Sequence, residues 1–194
     1  MAVLLEPRSF KAQVLHQDAS AGIAGVLYDC ALLLAQRLVQ EPGLLRGKVV
    51  ELGCGTGCAG LTAAALGSEV LLTDRSERAL QVARQSAKDS GLRVATERWD
   101  WRDGVPSACR GADTVIASDV VYSEDVGALL KALEAVTAPR CVVLLVVKVR
   151  SASTPLGTIG VGPRSGGAGG AASSAAGRQS PLQGAAVWGW GLAC

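Results

Sequence analysis

The run ELGCGTG at residues 51–57 constrains the fold of this chain more than any other feature. It places an acid and three alternating glycines where an apolar stretch, residues 48–52, gives way to small residues typical of a helix. Glycine tolerates the positive φ of a tight strand-to-helix turn, and a side chain at Gly53 or Gly55 would keep a ligand away from the backbone. The run therefore predicts a nucleotide-binding turn between a β-strand and an α-helix.

A second acidic residue, Asp74, lies about twenty residues beyond the glycine turn. Residues 69–74, EVLLTD, have the composition of the next buried strand and end on Asp74. A carboxylate at the end of the second strand, about twenty residues beyond the glycine turn, is the group that accepts hydrogen bonds from a ribose diol. Asp74 is therefore a candidate ligand for the ribose of the bound nucleotide.

The glycines leave the kind of nucleotide open, because residues 55–60 also fit the dinucleotide fingerprint G-x-G-x-x-G. In that fingerprint the first glycine directly follows the strand, but here that position is Gly53, and counting from it the third glycine position holds Cys58. Glu51 would repel a pyrophosphate, whereas S-adenosylmethionine has no phosphate and carries an α-amino group and a sulfonium that an acid can face. We predict S-adenosyl-L-methionine, with a dinucleotide and a purely structural glycine turn as alternatives.

Apolar periodicity predicts alternating helices and strands. Predicted helices cover residues 25–40, 56–66, 76–90 and 124–136, and predicted strands cover residues 48–52, 69–74, 93–98, 112–118 and 140–149. Such alternation indicates an α/β fold with a parallel sheet, in which ligands bind beyond the carboxyl ends of the strands. Four candidate residues follow or end predicted strands: Gly53, Asp74, Trp101 and Asp119.

The end of the fourth predicted strand supplies candidate catalytic groups. Ser118 is expected to line the cofactor, and Asp119 and Tyr122 place a carboxylate and a phenol near the reactive sulfonium. Trp101 is expected to cover the adenine, and Trp99 to pack in the core. The alternatives are a turn role for Asp119 and packing roles for Tyr122 and Trp101.

Composition limits the partners. The net charge is +2 with no basic stripe, so we expect no nucleic-acid partner. Six cysteines without paired spacing and one histidine support neither a zinc site nor a disulfide framework, so we predict no metal and a cytoplasmic location, with the nucleus as the alternative. The longest apolar run, residues 141–147, is too short to cross a bilayer, so no membrane association is expected.

Five segments together carry a family resemblance. Residues 22–31 (GIAGVLYDCA), 50–57, 73–74, Trp101 and 119–122 (DVVY) occur in the same order as in the seven-strand protein lysine methyltransferases of the methyltransferase-like 21 group, which the chain resembles over about residues 10–150. The resemblance implies a Rossmann-like class I methyltransferase sheet. It also implies that the cofactor contacts Tyr28, Gly53, Cys54, Gly55, Asp74, Trp101 and Ser118, while Asp119 and Tyr122 face the substrate lysine. Tyr28 stands where the family usually has tryptophan.

The function that the resemblance implies is transfer of a methyl group from S-adenosyl-L-methionine to a lysine ε-amine of a protein substrate. Residues 1–150 would form the methyltransferase domain, which we expect to be monomeric. The catalytically impaired cofactor- or partner-binding protein and the dinucleotide-dependent enzyme are the alternatives.

The carboxyl-terminal part departs from the family pattern. Family members continue after the fifth strand into a helix and a closing antiparallel strand pair, but residues 151–187 are mostly Gly, Ala, Ser and Pro. We therefore predict a sheet that lacks its last two strands and a low-complexity, disordered tail over residues 151–194. The fifth strand would then be an uncovered apolar edge, and the lysine pocket would lack a wall.

Overall fold

The computed structural model describes residues 13–121, 126–149 and 186–193. The helices in these ranges are α1 (Asp29–Gln40), α2 (Cys58–Ala65), α3 (Glu77–Asp89) and α4 (Val126–Val136), with short 3-10 segments at Ala19–Gly25, Pro42–Leu44 and Ser107–Cys109. The strands are β1 (Lys48–Leu52), β2 (Glu69–Asp74), β3 (Ala95–Arg98), β4 (Ala112–Ser118), β5 (Thr137–Val149) and β6 (Ala186–Ala193).

The strands form one sheet in the order β3-β2-β1-β4-β5-β6, and every neighbouring pair is parallel. This arrangement confirms the predicted α/β fold. The carboxyl ends of parallel strands meet at one edge of the sheet. The chain order reverses between β1 and β4, so the crevice between their carboxyl ends is where such sheets bind ligands.

Both faces of the sheet are covered, because successive side chains of a strand point to opposite sides. Val49 and Leu72 belong to the cluster that α1, α2 and α3 complete, whereas Val50 and Leu71 belong to the cluster on the α4 side. These four side chains are at most 6% exposed. Burial on both faces explains why the central strands are near-continuous apolar runs.

The helix boundaries have local causes. The hydroxyl of Ser76 accepts a hydrogen bond from the Ala79 amide at 3.2 Å and caps α3. The first helix begins at Asp29, later than predicted, because the backbone is extended at Val26 (φ −116°, ψ 142°) and at Tyr28 (φ −107°, ψ 154°). Among the described residues no single helix is long and apolar enough to span a membrane, and the 3-10 segment Ala19–Gly25 passes that test only together with α1, at a bend of 54°.

The carboxyl-terminal strand corrects one expectation. Residues 186–193 lie in the predicted disordered tail, but they form β6, which pairs with β5 from Val142 to Val149. The prediction that β5 has an uncovered edge is therefore wrong. Backbone groups along an open edge lack hydrogen-bond partners, and β6 supplies them. The pairing is parallel, unlike the antiparallel closing pair of the family pattern. Residues 151–185 and residue 194 lie outside the described residues.

Two helical glycines differ in the space around them and give a matched test of the core. A methyl group at Gly60 in α2 would lie 2.3 Å from Leu72 Cδ2 and 2.4 Å from Glu51 Oε2, whereas one at Gly127 in α4 would have no atom within 4 Å. We expect Gly60→Ala to lower the free energy of unfolding by about 1–3 kcal/mol through overpacking. Gly127→Ala should leave it unchanged or raise it slightly. Urea unfolding measures both, and equal stability of the two variants would contradict the packing of α2 on β1.

Candidate functional site

The glycine turn between β1 and α2 has the predicted geometry. Gly53, Gly55 and Gly57 have φ of 64°, 52° and 80°, which lie in a region that residues other than glycine rarely adopt. The Gly57 amide donates to the Cys54 carbonyl at 2.7 Å and closes the turn. The backbone of the turn is thus presented at the carboxyl edge of the sheet, at the switch point.

Asp74 lies against this turn. Its Oδ2 accepts a hydrogen bond from the Gly55 amide at 3.0 Å, and its Oδ1 accepts one from the Ser76 amide at 2.8 Å. Burial raises the pKa of this carboxyl, and the two amide hydrogen bonds oppose that shift. A carboxylate has about four acceptor positions, so both oxygens can still accept from a diol.

Aromatic and aliphatic side chains face Gly53. A methyl group at Gly53 would lie 3.0 Å from Val120 Cγ1 and 3.4 Å from Trp101 Cζ2. Trp101 therefore lies beside the turn, the position expected for a side chain that covers the adenine ring. Trp99 is buried in the core, as predicted. Sequence reasoning missed Val120. It could have been predicted from its position two residues after β4, because ligands bind at the switch point where β4 ends.

Glu51 lies beneath the first turn of α2. It is 1% exposed, and its Oε2 accepts a hydrogen bond from the Gly60 amide at 2.9 Å. Desolvation, reinforced by the nearby charge of Asp74, raises the pKa of Glu51 to about 8. Its Oε1 has no hydrogen-bond partner among the described residues. A buried acceptor without a donor suits a cationic donor of a ligand, which fits the predicted cofactor.

The other predicted cofactor residues differ in how deeply they are buried. The Cys54 side chain packs in the core, while its amide donates to the Thr73 carbonyl at 2.8 Å. Ser118 ends β4 and pairs with Val146 of β5. Tyr28 immediately precedes α1 and is 41% exposed.

Asp119 follows β4 in an unusual backbone conformation. Its φ is 52°, in the left-handed region where Asp and Asn are the favoured residues after glycine. Its amide donates to the Val146 carbonyl at 2.7 Å, which fixes the partly buried carboxyl at the same sheet edge as the turn. Asp119 thus occupies a turn, and its substrate-facing role stays a prediction. Tyr122 lies outside the described residues.

The sequence matches a known protein family over the whole of this region. Residues 10–155 match the profile of the lysine methyltransferase family. This chain belongs to that family. The assignment confirms S-adenosyl-L-methionine over a dinucleotide as the cofactor, in agreement with the acid at the end of β1.

Relatives match different shares of the chain. Protein N-lysine methyltransferase METTL21A of Danio rerio is 35% identical over 137 residues, which are 66% of this chain and 62% of that protein. Histone-arginine methyltransferase METTL23 of Homo sapiens is 34% identical over 105 residues, 51% of this chain and 55% of that protein. The chain thus spans less than two thirds of the length of either relative.

A solved structure shows the same fold. The Trypanosoma brucei PRMT1 enzyme-prozyme heterotetrameric complex with AdoHcy has a TM-score of 0.50 and 20% identity, and the match covers 58% of this chain and 37% of that chain. At this identity the likeness concerns the fold alone.

The burial of Glu51 predicts a pH dependence of stability. Between its ordinary pKa of 4.5 and its folded pKa of about 8, the folded protein keeps a proton that the unfolded chain has released, so stability falls as pH rises through this window. Glu51→Gln keeps the shape of the side chain but cannot ionise, so the variant lacks this pH-dependent loss of stability. We expect the variant to be more stable than the parent at pH 8, by on the order of a few kcal/mol, and the difference to shrink toward pH 5. Melting curves across this range test it, and parallel pH profiles would contradict a buried protonated Glu51.

Proposed function

We propose that this protein is an S-adenosylmethionine-dependent protein-lysine N-methyltransferase. The observation that carries the proposal is the family match over residues 10–155, which spans the glycine turn, Asp74 and Asp119. The geometry of the turn supports it, since three residues with left-handed φ present backbone where a ligand can approach closely. Because the relatives are longer than the matched part, the activity and substrate of the whole protein are part of the proposal.

Three side chains, Asp74, Trp101 and Glu51, would make the main contacts with the cofactor. Asp74 would accept hydrogen bonds from the ribose diol, and Trp101 would lie against the adenine beside Gly53. The Oε1 of Glu51 would accept from the α-amino group, and the charge of that group would favour the ionised form of Glu51. When bound, S-adenosylmethionine supplies a methyl group on a positively charged sulfur. Backbone groups of the glycine turn and the partly buried Ser118 would complete the contact surface.

In the reaction, the protein would position the substrate lysine and favour loss of a proton from its ammonium group. A lysine ammonium has no lone pair, and its ordinary pKa is about 10.4, so the amine must lose a proton before it can act as a nucleophile. Burial of the lysine side chain in the pocket lowers its pKa and favours the neutral amine. Asp119 would orient the amine and stabilise the positive charge of the product, and Tyr122 would narrow the pocket.

The substrate is proposed to be a protein that presents a lysine. The family is named for lysine, and METTL21A of Danio rerio is named an N-lysine methyltransferase, whereas METTL23 of Homo sapiens is named for arginine in histones. Incubation of a cell lysate with this chain and a radiolabelled cofactor, followed by mass spectrometry of labelled proteins, distinguishes the two acceptors. Labelled arginine would overturn the acceptor assignment. Cofactor binding without any labelled protein would support a binding protein instead.

Asp74 provides a test of the cofactor site. Asp74→Asn preserves the shape of the side chain but removes its charge, so we expect the binding of S-adenosylhomocysteine to weaken by about 1–2 kcal/mol in calorimetry. Asp113 is a matched control at the opposite edge of the sheet, where its Oδ2 accepts a hydrogen bond from the Lys48 amide at 2.9 Å. Asp113→Asn should leave the dissociation constant unchanged. Equal effects of the two substitutions would remove Asp74 from the site.

Asp119 separates an enzyme from a binding protein. Asn tolerates the left-handed φ at this position, so Asp119→Asn should keep the turn while it removes the charge. We expect methyl transfer to fall by about a hundredfold or more, with cofactor affinity changed by at most a few-fold. Single-turnover transfer and calorimetry measure the two effects. Full activity of Asp119→Asn in an active parent would show that Asp119 has no part in handling the substrate.

A further inference from the structure

Residues 14–28, here called the N-terminal strap, run along α3 before they reach the glycine turn. Among the described residues five hydrogen bonds fasten the strap to this helix and to Ser90, which caps its carboxyl end. They are Val14 N to Ser90 Oγ (2.9 Å), Ser90 Oγ to Val14 O (3.3 Å), His16 N to Ser86 Oγ (2.9 Å), His16 Nε2 with Asp89 Oδ2 (2.8 Å) and Arg78 Nε to Asp18 Oδ2 (2.7 Å). Ser86 is fully buried, and its hydroxyl also donates to the Val82 carbonyl at 3.0 Å. The strap is therefore seated at a defined position along α3.

Asp18 closes the strap into a tight loop. Its amide donates to the Gly25 carbonyl at 2.9 Å, and its carbonyl accepts from the Ala21 amide at 2.9 Å. Hydrogen bonds from Ser20 and Arg78 lower the pKa of Asp18 to about 2, so this anchor stays ionised at neutral pH. A methyl group at Gly25 would lie 1.9 Å from the Asp18 carbonyl oxygen. The loop over residues 18–25 therefore closes only with glycine at this position.

The tip of this loop lies on the glycine turn. A methyl group at Gly55 would lie 3.1 Å from the Ala24 carbonyl oxygen, so the strap backbone is in contact range of the turn. Beyond the tip, Gln17 Oε1 accepts a hydrogen bond from the Leu27 amide at 2.8 Å and holds the chain just before α1. The strap thus forms one side of the site.

Helix α3, to which the strap is fastened, begins three residues after Asp74, the residue expected to bind the ribose. Asp74 binds the amides of both Gly55 and Ser76, and Ser76 caps α3. The glycine turn, Asp74, α3 and the strap therefore form a closed ring of contacts. A displacement of the strap from α3 would move the Ala24 carbonyl away from Gly55.

We propose that the N-terminal strap is a positioning element of the cofactor site, and that its attachment to α3 sets the affinity of the site for S-adenosylmethionine. The inference rests on the proposed function, because it concerns the same site. Coupling between two sites is reciprocal, so the bound cofactor should also stabilise the strap. The residues that fasten the strap act through the Ala24 backbone and need not touch the cofactor.

The test compares a loosened strap with two controls. Arg78→Gln combined with Ser86→Ala removes the side-chain partners of Asp18 and of the His16 amide, two of the points at which the strap is fastened to α3. Glu77→Gln breaks the Arg84–Glu77 ion pair at 2.6 Å on the same helix without touching the strap. Val136→Ala creates a small cavity at the end of α4, which leads into the amino end of β5 and so lies away from the site. This last control reports the effect of lost stability alone.

Calorimetry with S-adenosylhomocysteine and thermal melting are measured for each variant. We expect the loosened strap to weaken binding by about fivefold or more, whereas both controls stay within about twofold of the parent. Arg78→Lys with intact Ser86 should restore near-parent affinity. An unchanged dissociation constant for the loosened strap, or an equal loss in Val136→Ala, would overturn the inference. A parent that does not bind S-adenosylhomocysteine would instead overturn the proposed function, and the inference with it.

Hydrogen exchange gives a readout that does not depend on turnover. Asp18 and Leu27 donate their amides within the strap, to Gly25 and Gln17. Binding of S-adenosylhomocysteine to the parent should slow exchange at both amides, since coupling acts in both directions. Exchange at these amides that is the same with and without ligand would overturn the coupling.

Discussion

The hydrogen bond from the Gly55 amide to the Asp74 carboxylate is the contact on which the arrangement of the site depends. It joins the loop after β1 to the end of β2, and so brings two segments about twenty residues apart to one position. The second carboxylate oxygen holds the Ser76 amide and thereby the start of α3. One side chain thus orders the turn, the neighbouring helix and, through that helix, the strap.

The burial of two acidic side chains is an energetic cost of this arrangement. Glu51 and Asp74 are both nearly inaccessible to water, and burial raises the pKa of each. A protein optimised for stability alone would place apolar side chains at these positions. Two acids next to a glycine turn disfavour the anionic pyrophosphate of a dinucleotide, which S-adenosylmethionine lacks.

The sheet is closed in a way that the family pattern did not suggest. β6 pairs with β5 in parallel, whereas the family pattern completes the sheet with an antiparallel strand pair. The added strand supplies backbone partners to β5, which would otherwise present an apolar edge. The carboxyl ends of β4 and β5 remain joined at the site by the contact between Asp119 and Val146.

The sequence by itself determined the parallel sheet, the bounds of β1, β2 and β4, and the glycine turn with its second acid. Each of these follows from short-range information, namely apolar periodicity, glycine spacing and an acid at a strand end. Only the tertiary structure decided that Glu51 is held by the Gly60 amide, that Val120 faces Gly53, and that the Ala24 carbonyl reaches Gly55. It also decided the pairing of β6 with β5. All of these contacts join different elements or loops of the fold, and their partners are chosen by packing and by the need to satisfy buried polar groups, which no local pattern encodes.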